Sequence, residues 1–141
     1  MKINQLLILT VLAFLSLQCK KEGVEPKDIL VSKEWKKTVA DKNLYSNPSG
    51  KILYASVLNC QKDDTYRFNE NGKLTLKKGS SQCEMIEAAS EDLPYSYNKA
   101  SKELIISGIK YTLAEATSVQ IKYYAPLPAD SGSDYIVFLL E

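Results

Sequence analysis

The chain contains no histidine among its 141 residues, and this absence removes several kinds of active site. Histidine is the commonest general base, the usual partner of a serine nucleophile and the commonest metal ligand. The glycine patterns of serine hydrolases, P-loop proteins and dinucleotide-binding proteins are also missing. The sequence therefore predicts a protein that is not an enzyme and that carries neither a metal nor another cofactor.

Basic residues are not in excess. The formal net charge is +1, and Lys2 is the single charged residue of positions 1–18, so the rest of the chain is neutral. Proteins that bind nucleic acid need a basic surface to neutralise phosphates. We therefore expect no nucleic-acid partner.

Long apolar runs are missing too. The longest, residues 6–17, includes Thr10 and Ser16, whereas a membrane-spanning helix needs about 18 or more apolar residues. It follows Lys2 and ends shortly before Cys19. A basic start followed by a short apolar stretch is typical of a secretory targeting segment.

The end of this segment, residues 16–19 (Ser-Leu-Gln-Cys), resembles a lipobox. The resemblance implies that residues 1–18 are a cleaved lipoprotein signal peptide and that Cys19 carries lipid. Residues 19–27 would be the lipidated tether, and residues 28–141 one domain. The predicted location is the cell envelope, on the periplasmic or surface face of the outer membrane, with the membrane as partner through the acyl chains. A soluble secreted protein and an uncleaved N-terminal anchor are the alternatives.

From residue 34 onward, apolar and polar residues alternate with a period of two. This pattern predicts strands with one buried face and one wet face. Ile121 and Tyr123, for example, are expected inside, and Gln120 and Lys122 outside. The predicted strands are residues 34–40, 64–69, 73–78, 94–98, 103–107, 109–114, 118–124 and 134–140. Residues 27–34 and 52–58 are each expected to hold a short helix or turn.

Turn chemistry predicts the register of the first clear hairpin. A three-residue loop that ends at Gly72 sets Phe68 opposite Leu74, and it also sets Tyr66 opposite Leu76. A two-residue loop would instead set Phe68 opposite a polar threonine. We therefore expect a type I turn with Gly72 in a left-handed conformation, forming a G1 bulge.

A second hairpin is predicted at Ser107-Gly108. Here a two-residue loop preserves the pattern, because it pairs Ile106 with Ile109 and keeps both on one face.

Two cysteines remain once Cys19 is assigned to the lipid anchor, which suggests a disulfide in an exported chain. Extending the first hairpin to its open end places Cys60 across from Gln82, beside Cys83. A disulfide between Cys60 and Cys83 is therefore predicted. The alternative, a redox-active pair, lacks the C-x-x-C spacing.

Eight short strands joined by tight turns suit a meander, and closing it into a barrel removes exposed edges. Trp35-Lys36, residues 60–68, Asn71-Gly72, Cys83 and residues 104–111 together resemble the lipocalin-like domain of bacterial lipoproteins, which is common in the Bacteroidota. The resemblance implies an all-β, eight-stranded antiparallel up-and-down β-barrel with one disulfide on a lipid anchor. It implies no settled biochemical activity.

Aromatic side chains dominate the predicted inner face, which leads to two hypotheses about function. In the first, the barrel binds a small hydrophobic or amphipathic ligand, because eight strands leave room for one. In the second, the core is solid and a protein partner of unknown identity binds the loops at residues 42–51 and 124–134. Trp35 is expected to plug one barrel end. The candidate ligand-lining residues are Tyr66, Phe68, Leu74, Leu76, Tyr95, Tyr97, Tyr111 and Tyr123.

Charged clusters offer weaker candidates. Asp63 and Asp64 could bind a cation or act as acid and base, although such a pair more often caps a turn. The acidic side chains between residues 84 and 92 could bind calcium or form a solvated loop between strands. The lysine pairs at 36–37 and 77–78 are predicted to be exposed, with a contact to anionic glycans or lipids as the alternative.

Overall fold

The computed structural model describes residues 23–84 and 88–141, and within them the fold is almost entirely β. The predicted signal peptide and Cys19 lie outside the described residues. The strands are β1 (Lys37–Thr38), β2 (Ile52–Tyr54), β3 (Thr65–Phe68), β4 (Lys73–Lys77), β5 (Ser90–Asn98), β6 (Glu103–Ile106), β7 (Ile109–Ala116), β8 (Ile121–Pro126) and β9 (Tyr135–Leu140). The helical elements are α1 (Pro26–Val31) and three short 3-10 helices at Leu44–Ser46, Asn59–Gln61 and Ala129–Ser131.

Helix α1 forms where a short helix or turn was predicted. Pro26 occupies its first turn, where a missing N–H costs nothing, and Asp28 adds a favourable negative charge there. Leu30 is completely buried and anchors the helix to the sheet. Within the described part of the chain, no helix is long and apolar enough to cross a membrane.

The strands form one mostly antiparallel sheet in the order β1-β9-β8-β7-β6-β5-β4-β3, and β2 pairs with β9 as well. The prediction of eight strands was wrong, because β2 was expected to be a helix or turn. Strand β2 runs parallel to β9, with Ile52 opposite Tyr135. A strand of three residues is too short to show a period-two pattern, so it is recognised from its pairing with β9.

The first predicted hairpin is confirmed. Phe68 lies opposite Leu74 and Tyr66 opposite Leu76. Gly72 has φ +78°, and its N–H donates to the carbonyl of Asn69 at 3.1 Å, as a type I turn with a G1 bulge requires.

The second predicted hairpin is confirmed as well. Ile106 lies opposite Ile109, and Ser107 and Gly108 have φ +50° and +81°. Positive φ at both central residues marks a type I′ turn, whose twist matches that of the flanking strands.

The acidic segment was placed wrongly by the sequence. Strand β5 begins at Ser90, so Glu91 and Asp92 lie in a strand and not in a loop between strands. Asp92 accepts a hydrogen bond of 2.7 Å from the Thr75 hydroxyl on the facing strand, and Lys73 lies 3.5 Å from the same carboxylate. These cross-strand contacts stabilise a strand whose acidic residues have a low β-propensity.

The disulfide between Cys60 and Cys83 is confirmed, with 5.2 Å between the two Cα atoms. The route to it differs from the prediction. The hairpin ladder ends at Thr65 opposite Lys77, and Cys60 lies in the 3-10 helix Asn59–Gln61. The bridge therefore joins two loops beyond the open end of the hairpin.

The ladder of strands does not close. Its two ends, β1 and β3, are linked through one bridge just before β1, where Trp35 and Tyr66 exchange backbone hydrogen bonds of 2.9 and 2.8 Å. Next to this bridge, Lys36 exchanges backbone hydrogen bonds of 2.9 Å with Glu141, which follows β9. The segment from Trp35 to Thr38 thus contacts both ends of the sheet.

Candidate functional site

The candidate ligand-lining residues come together as one hydrophobic core. Tyr66, Phe68, Leu74, Tyr95 and Tyr123 are buried members of this core, and the other three candidates pack against it: Leu76, Tyr97 and Tyr111. The period-two alternation therefore predicted correctly that these eight side chains point to the core.

The interior rings contact one another. The rings of Phe68 and Tyr95 meet edge to face with 5.0 Å between centroids. Tyr123 stacks on Phe138 of the last strand at 5.2 Å, and Tyr111 meets the ring of Tyr123 edge to face at 5.1 Å. Such pairs add about 0.5–1.5 kcal/mol each beyond the burial of their area.

The interior tyrosines keep their protons at ordinary pH. Burial raises the pKa of Tyr123 far above its usual value, and burial followed by the charge of Asp64 does the same for the pKa of Tyr66. The Tyr95 hydroxyl donates a hydrogen bond of 2.8 Å to the carbonyl of Asn69. These rings therefore combine apolar packing with a neutral polar tip.

A small pocket lies at one side of this core. It has a volume of about 50 Å³ and is lined by Tyr123 and Phe138 from the core and by residues 55–57 from the segment after β2. A drug-sized ligand needs roughly 300 Å³ or more. This pocket is therefore much smaller than the ligand site of the first hypothesis.

Trp35 is completely buried beside α1. Its ring N–H donates a hydrogen bond of 2.9 Å to the carbonyl of Leu30, and the ammonium of Lys33 lies 4.3 Å from the ring centroid. The indole therefore joins the helix to the sheet, with a cation over one face.

The aspartate pair holds a loop in place. The carboxylate of Asp63 accepts hydrogen bonds from the backbone and hydroxyl of Ser80, at 2.7 and 2.8 Å. Asp64, which is buried, accepts one of 2.9 Å from the backbone N–H of Gly79. Both carboxylates thus cap the loop that leads to Cys83. Within residues 23–84 and 88–141, no group of three or more His, Cys, Asp or Glu side chains could hold a metal ion.

The lysine pairs are only partly exposed, contrary to the prediction. The ammonium of Lys37 lies 5.3 Å from the ring centroid of Tyr66, and burial lowers the pKa of Lys37 even though the charge of Asp64 opposes this. Lys78 lies 3.6 Å from the carboxylate of Asp64. One lysine of each pair is therefore part of the structure around Asp64.

A buried polar network, which the sequence did not predict, lies on the opposite face of β8. Gln120 and Lys122 were expected in solvent, yet both are completely buried. The Lys122 ammonium lies 2.8 Å from the Asp41 carboxylate and donates to the Asn47 side chain at 2.8 Å and to the carbonyl of Asn43. Its three N–H groups therefore each have an acceptor.

This network fastens the segment between β1 and β2 over the sheet. The Tyr54 hydroxyl donates to Asp41 at 2.7 Å, and Gln120 exchanges hydrogen bonds with the backbone of Ala40 and Lys42. Burial acts to raise the pKa of Asp41, but hydrogen bonds from Lys122 and Tyr54 outweigh it and hold that pKa below its usual value. In the sequence, the Asp and Asn residues at positions 41, 43 and 47 indicate that this segment folds into hydrogen-bonded turns.

The tip of this segment, residues 43–48, is here called the Tyr45 loop. Asn43 and Ser46 both donate to the Glu115 carboxylate of β7, at 2.8 and 2.6 Å. Between them, Leu44 is 67% exposed and Tyr45 is fully exposed. The loop thus presents two large side chains to solvent on a base that is fixed by buried charges.

Comparisons of the chain with protein-family models, with curated proteins and with solved structures found no match.

Proposed function

We propose that this protein is a non-catalytic, lipid-anchored envelope protein that recognises its partner through the Tyr45 loop. The exposure of Leu44 and Tyr45 on a rigidly held loop carries the proposal. Exposed tyrosine is enriched in binding surfaces because it gives a large contact area at a low entropic cost. Fixing the loop in advance reduces the entropy that binding must offset.

The filled interior supports this choice over an internal ligand site. The aromatic side chains that would line a ligand pocket contact one another, and the pocket beside Tyr123 holds about 50 Å³. The internal-ligand hypothesis remains the competing proposal. It requires the rings of Tyr123 and Phe138 to move apart, and saturable binding of a hydrophobic dye that Tyr123→Trp abolishes would favour it.

A non-catalytic role is supported by what the aspartate pair does. Asp63 and Asp64 are the acid–base candidates of the sequence, and their carboxylates accept hydrogen bonds from the loop at Gly79 and Ser80. Groups that are engaged in holding a loop are poor candidates for proton transfer to a substrate.

We also propose that the sheet forms a lipocalin-like barrel that segment 35–38 closes. The paired backbone hydrogen bonds of Trp35 with Tyr66 and of Lys36 with Glu141 support this arrangement. Closure predicts that the amide hydrogens of Trp35 and Tyr66 exchange with solvent as slowly as those of the central strands. Fast exchange at both positions, with slow exchange in β7 and β8, would contradict it.

The partner hypothesis is tested by photocrosslinking in cells. A photoreactive amino acid at position 45 is expected to capture a distinct envelope component, whereas the same group at Ile109, which is 57% exposed on a hairpin, is the matched control. Equal capture from both positions, or none from position 45, would contradict the proposal.

The anchor is tested separately. Cys19→Ala is expected to prevent lipidation, because acyl chains provide the anchoring free energy. The variant should then either leave the membrane fraction or keep its uncleaved signal peptide. Unchanged membrane fractionation with no incorporation of labelled fatty acid into the wild type would rule out lipidation at Cys19.

A further inference from the structure

A β-bulge interrupts strand β7 beside the Tyr45 loop. The register between β7 and β8 shifts between Leu113 and Glu115, which leaves Ala114 as the extra residue. The β6–β7 ladder continues one residue beyond the Glu103–Thr112 pair, because the N–H of Leu113 donates a hydrogen bond of 2.8 Å to the carbonyl of Lys102, so the turn between β5 and β6 lies beside the bulge. Bulges occur often beside binding sites, where they change the direction of a side chain.

Lys102 has an unusual backbone conformation for a lysine. Its φ is +56°, in the left-handed region that favours glycine or asparagine. Its neighbours have their charges paired, because Lys99 lies 2.6 Å from Glu25 and Lys110 lies 3.2 Å from Glu103. Among the described residues, no ion pair or hydrogen bond involves the Lys102 ammonium. A cation is thus held in a costly conformation without a protein partner.

Two pockets flank Lys102 and share it as a wall. One, of about 280 Å³, lies between Tyr97, Pro26 and the bulge, and Lys99 and Glu115 also line it. The other, of about 270 Å³, lies between Tyr45, Tyr124 and the bulge, with Asn47 and Thr112 among its polar groups. Each is slightly below the roughly 300 Å³ at which the size range of drug-sized ligand sites begins, and is large enough for one sugar unit.

The position of the cleft limits the kind of ligand. Strand β7 pairs with β6 on one side and with β8 on the other, so a peptide cannot bind it by strand addition. Recognition must come from side chains: tyrosine rings, the Thr112 hydroxyl and one unpaired ammonium. The amide of Asn47 is already bound to Tyr54 and Lys122, and the hydroxyl of Ser46 to Glu115. Rings of this kind pack against the C–H faces of sugars, and the polar groups suit sugar hydroxyls.

We propose that this cleft binds an acidic carbohydrate, with Lys102 pairing with a carboxylate or sulfate between two sugar units. The inference rests on the proposed function, because it names the ligand class of the surface that includes Tyr45. One sugar would occupy each pocket, and the ammonium would contact the charged group that joins or decorates them.

The test is calorimetric titration of the full-length protein in detergent with oligogalacturonate. Neutral malto-oligosaccharide, sulfated dextran and poly-glutamate are the comparison ligands. Saturable binding of oligogalacturonate or sulfated dextran, without binding of the neutral sugar or poly-glutamate, is the expected result. Equal binding of poly-glutamate would overturn the proposal, because it would show charge attraction without recognition of a sugar.

Lys102→Gly separates the turn from the ligand site. Glycine is favoured at φ +56°, so the variant should fold at least as stably as the wild type, while affinity for the acidic sugar falls roughly tenfold to a hundredfold. Lys102→Arg should retain most of the affinity. Lys110→Ala is the control, because it removes an exposed cation outside the cleft. Unchanged affinity in Lys102→Gly, or an equal loss in Lys110→Ala, would overturn the proposal.

The outcomes also separate this proposal from the one on which it depends. If position 45 captures a partner in cells while no acidic sugar binds, the ligand class is wrong and the recognition surface stands. If neither occurs, both proposals fail.

Discussion

Lys122 is the residue whose environment departs most from what its type suggests. Its side chain is completely buried, and its ammonium pairs with Asp41, whose side chain is 4% exposed. Desolvating two charges costs several kcal/mol, which their attraction offsets only where all their hydrogen bonds are formed. The acceptors at Asn43 and Asn47 complete the shell of Lys122 and make the pair tolerable.

Removing one partner of this pair should therefore be severe. Lys122→Met is expected to lower the free energy of unfolding by about 3–5 kcal/mol, because it leaves the Asp41 charge buried without its cation. Urea unfolding followed by tyrosine and tryptophan fluorescence measures this loss. Lys110→Met, which breaks an exposed pair with Glu103, is the control and should cost under about 1 kcal/mol. Equal losses would show that the buried pair contributes no more to the free energy of unfolding than the exposed pair.

The same pair makes stability depend on pH. The folded pKa of Asp41 lies below its unfolded value, so its contribution is complete above the unfolded pKa and is lost as pH falls through the folded one. The stability difference between wild type and Asp41→Asn should thus be largest near pH 6 and shrink as the pH falls below about 4. A difference that stays constant over this range would contradict the ionised pair.

At the scale of elements, the two confirmed hairpins depend on glycine in different surroundings. Gly72 and Gly108 have nearly the same φ, +78° and +81°. A Cβ at Gly72 would lie 3.3 Å from the carbonyl oxygen of Tyr95, whereas a Cβ at Gly108 would meet nothing within 4 Å. The backbone strain of an added side chain is therefore similar at the two sites, and the contact differs.

These glycines allow a matched comparison. Gly108→Ala should destabilise the protein by about 1–2 kcal/mol, which is the cost of the left-handed conformation. Gly72→Ala should cost more, because the strand that carries Tyr95 must also shift. Thermal unfolding of the two variants gives the comparison, and an equal loss would mean that the contact at Tyr95 relaxes freely.

At the scale of the whole molecule, the disulfide and the Trp35 segment act on the part of the sheet that strand pairing leaves open. The Cys60–Cys83 bridge joins the loops on either side of β3 and β4, while Asp63 and Asp64 bind the same region through Gly79 and Ser80. Covalent and polar links thus hold the end of the sheet that is farthest from β9 in the strand order.

Loss of the disulfide should lower the stability of the whole fold. The Cys60→Ala/Cys83→Ala variant is expected to lose roughly 3 kcal/mol of stability, mainly because the unfolded chain gains freedom. Comparing its urea midpoint with that of the wild type, with and without reductant, measures the loss. A wild type whose midpoint does not change on complete reduction would contradict a stabilising role.

Much of the core and the loop of the candidate site could be predicted from the sequence, but not the buried network that holds this loop. Phe68, Leu74, Tyr95 and Tyr123 were assigned to the interior because period-two alternation reports which face is apolar. Residues 42–51, which include the Tyr45 loop, were assigned as a candidate partner-binding loop, whereas the burial of Lys122 was not predicted, because a polar side chain in a strand signals solvent unless a distant segment covers it.

The sequence by itself determined the all-β class, two hairpin registers and the inner face, since each depends on interactions between near neighbours or on local turn chemistry. It also determined the disulfide pair, because two cysteines remain in an exported chain. Only the tertiary structure decided that β2 pairs in parallel with β9 and that Asp41 covers Lys122. These features join residues far apart in the chain. Their free energy comes from desolvation and pairing at the point of contact, which no local pattern encodes.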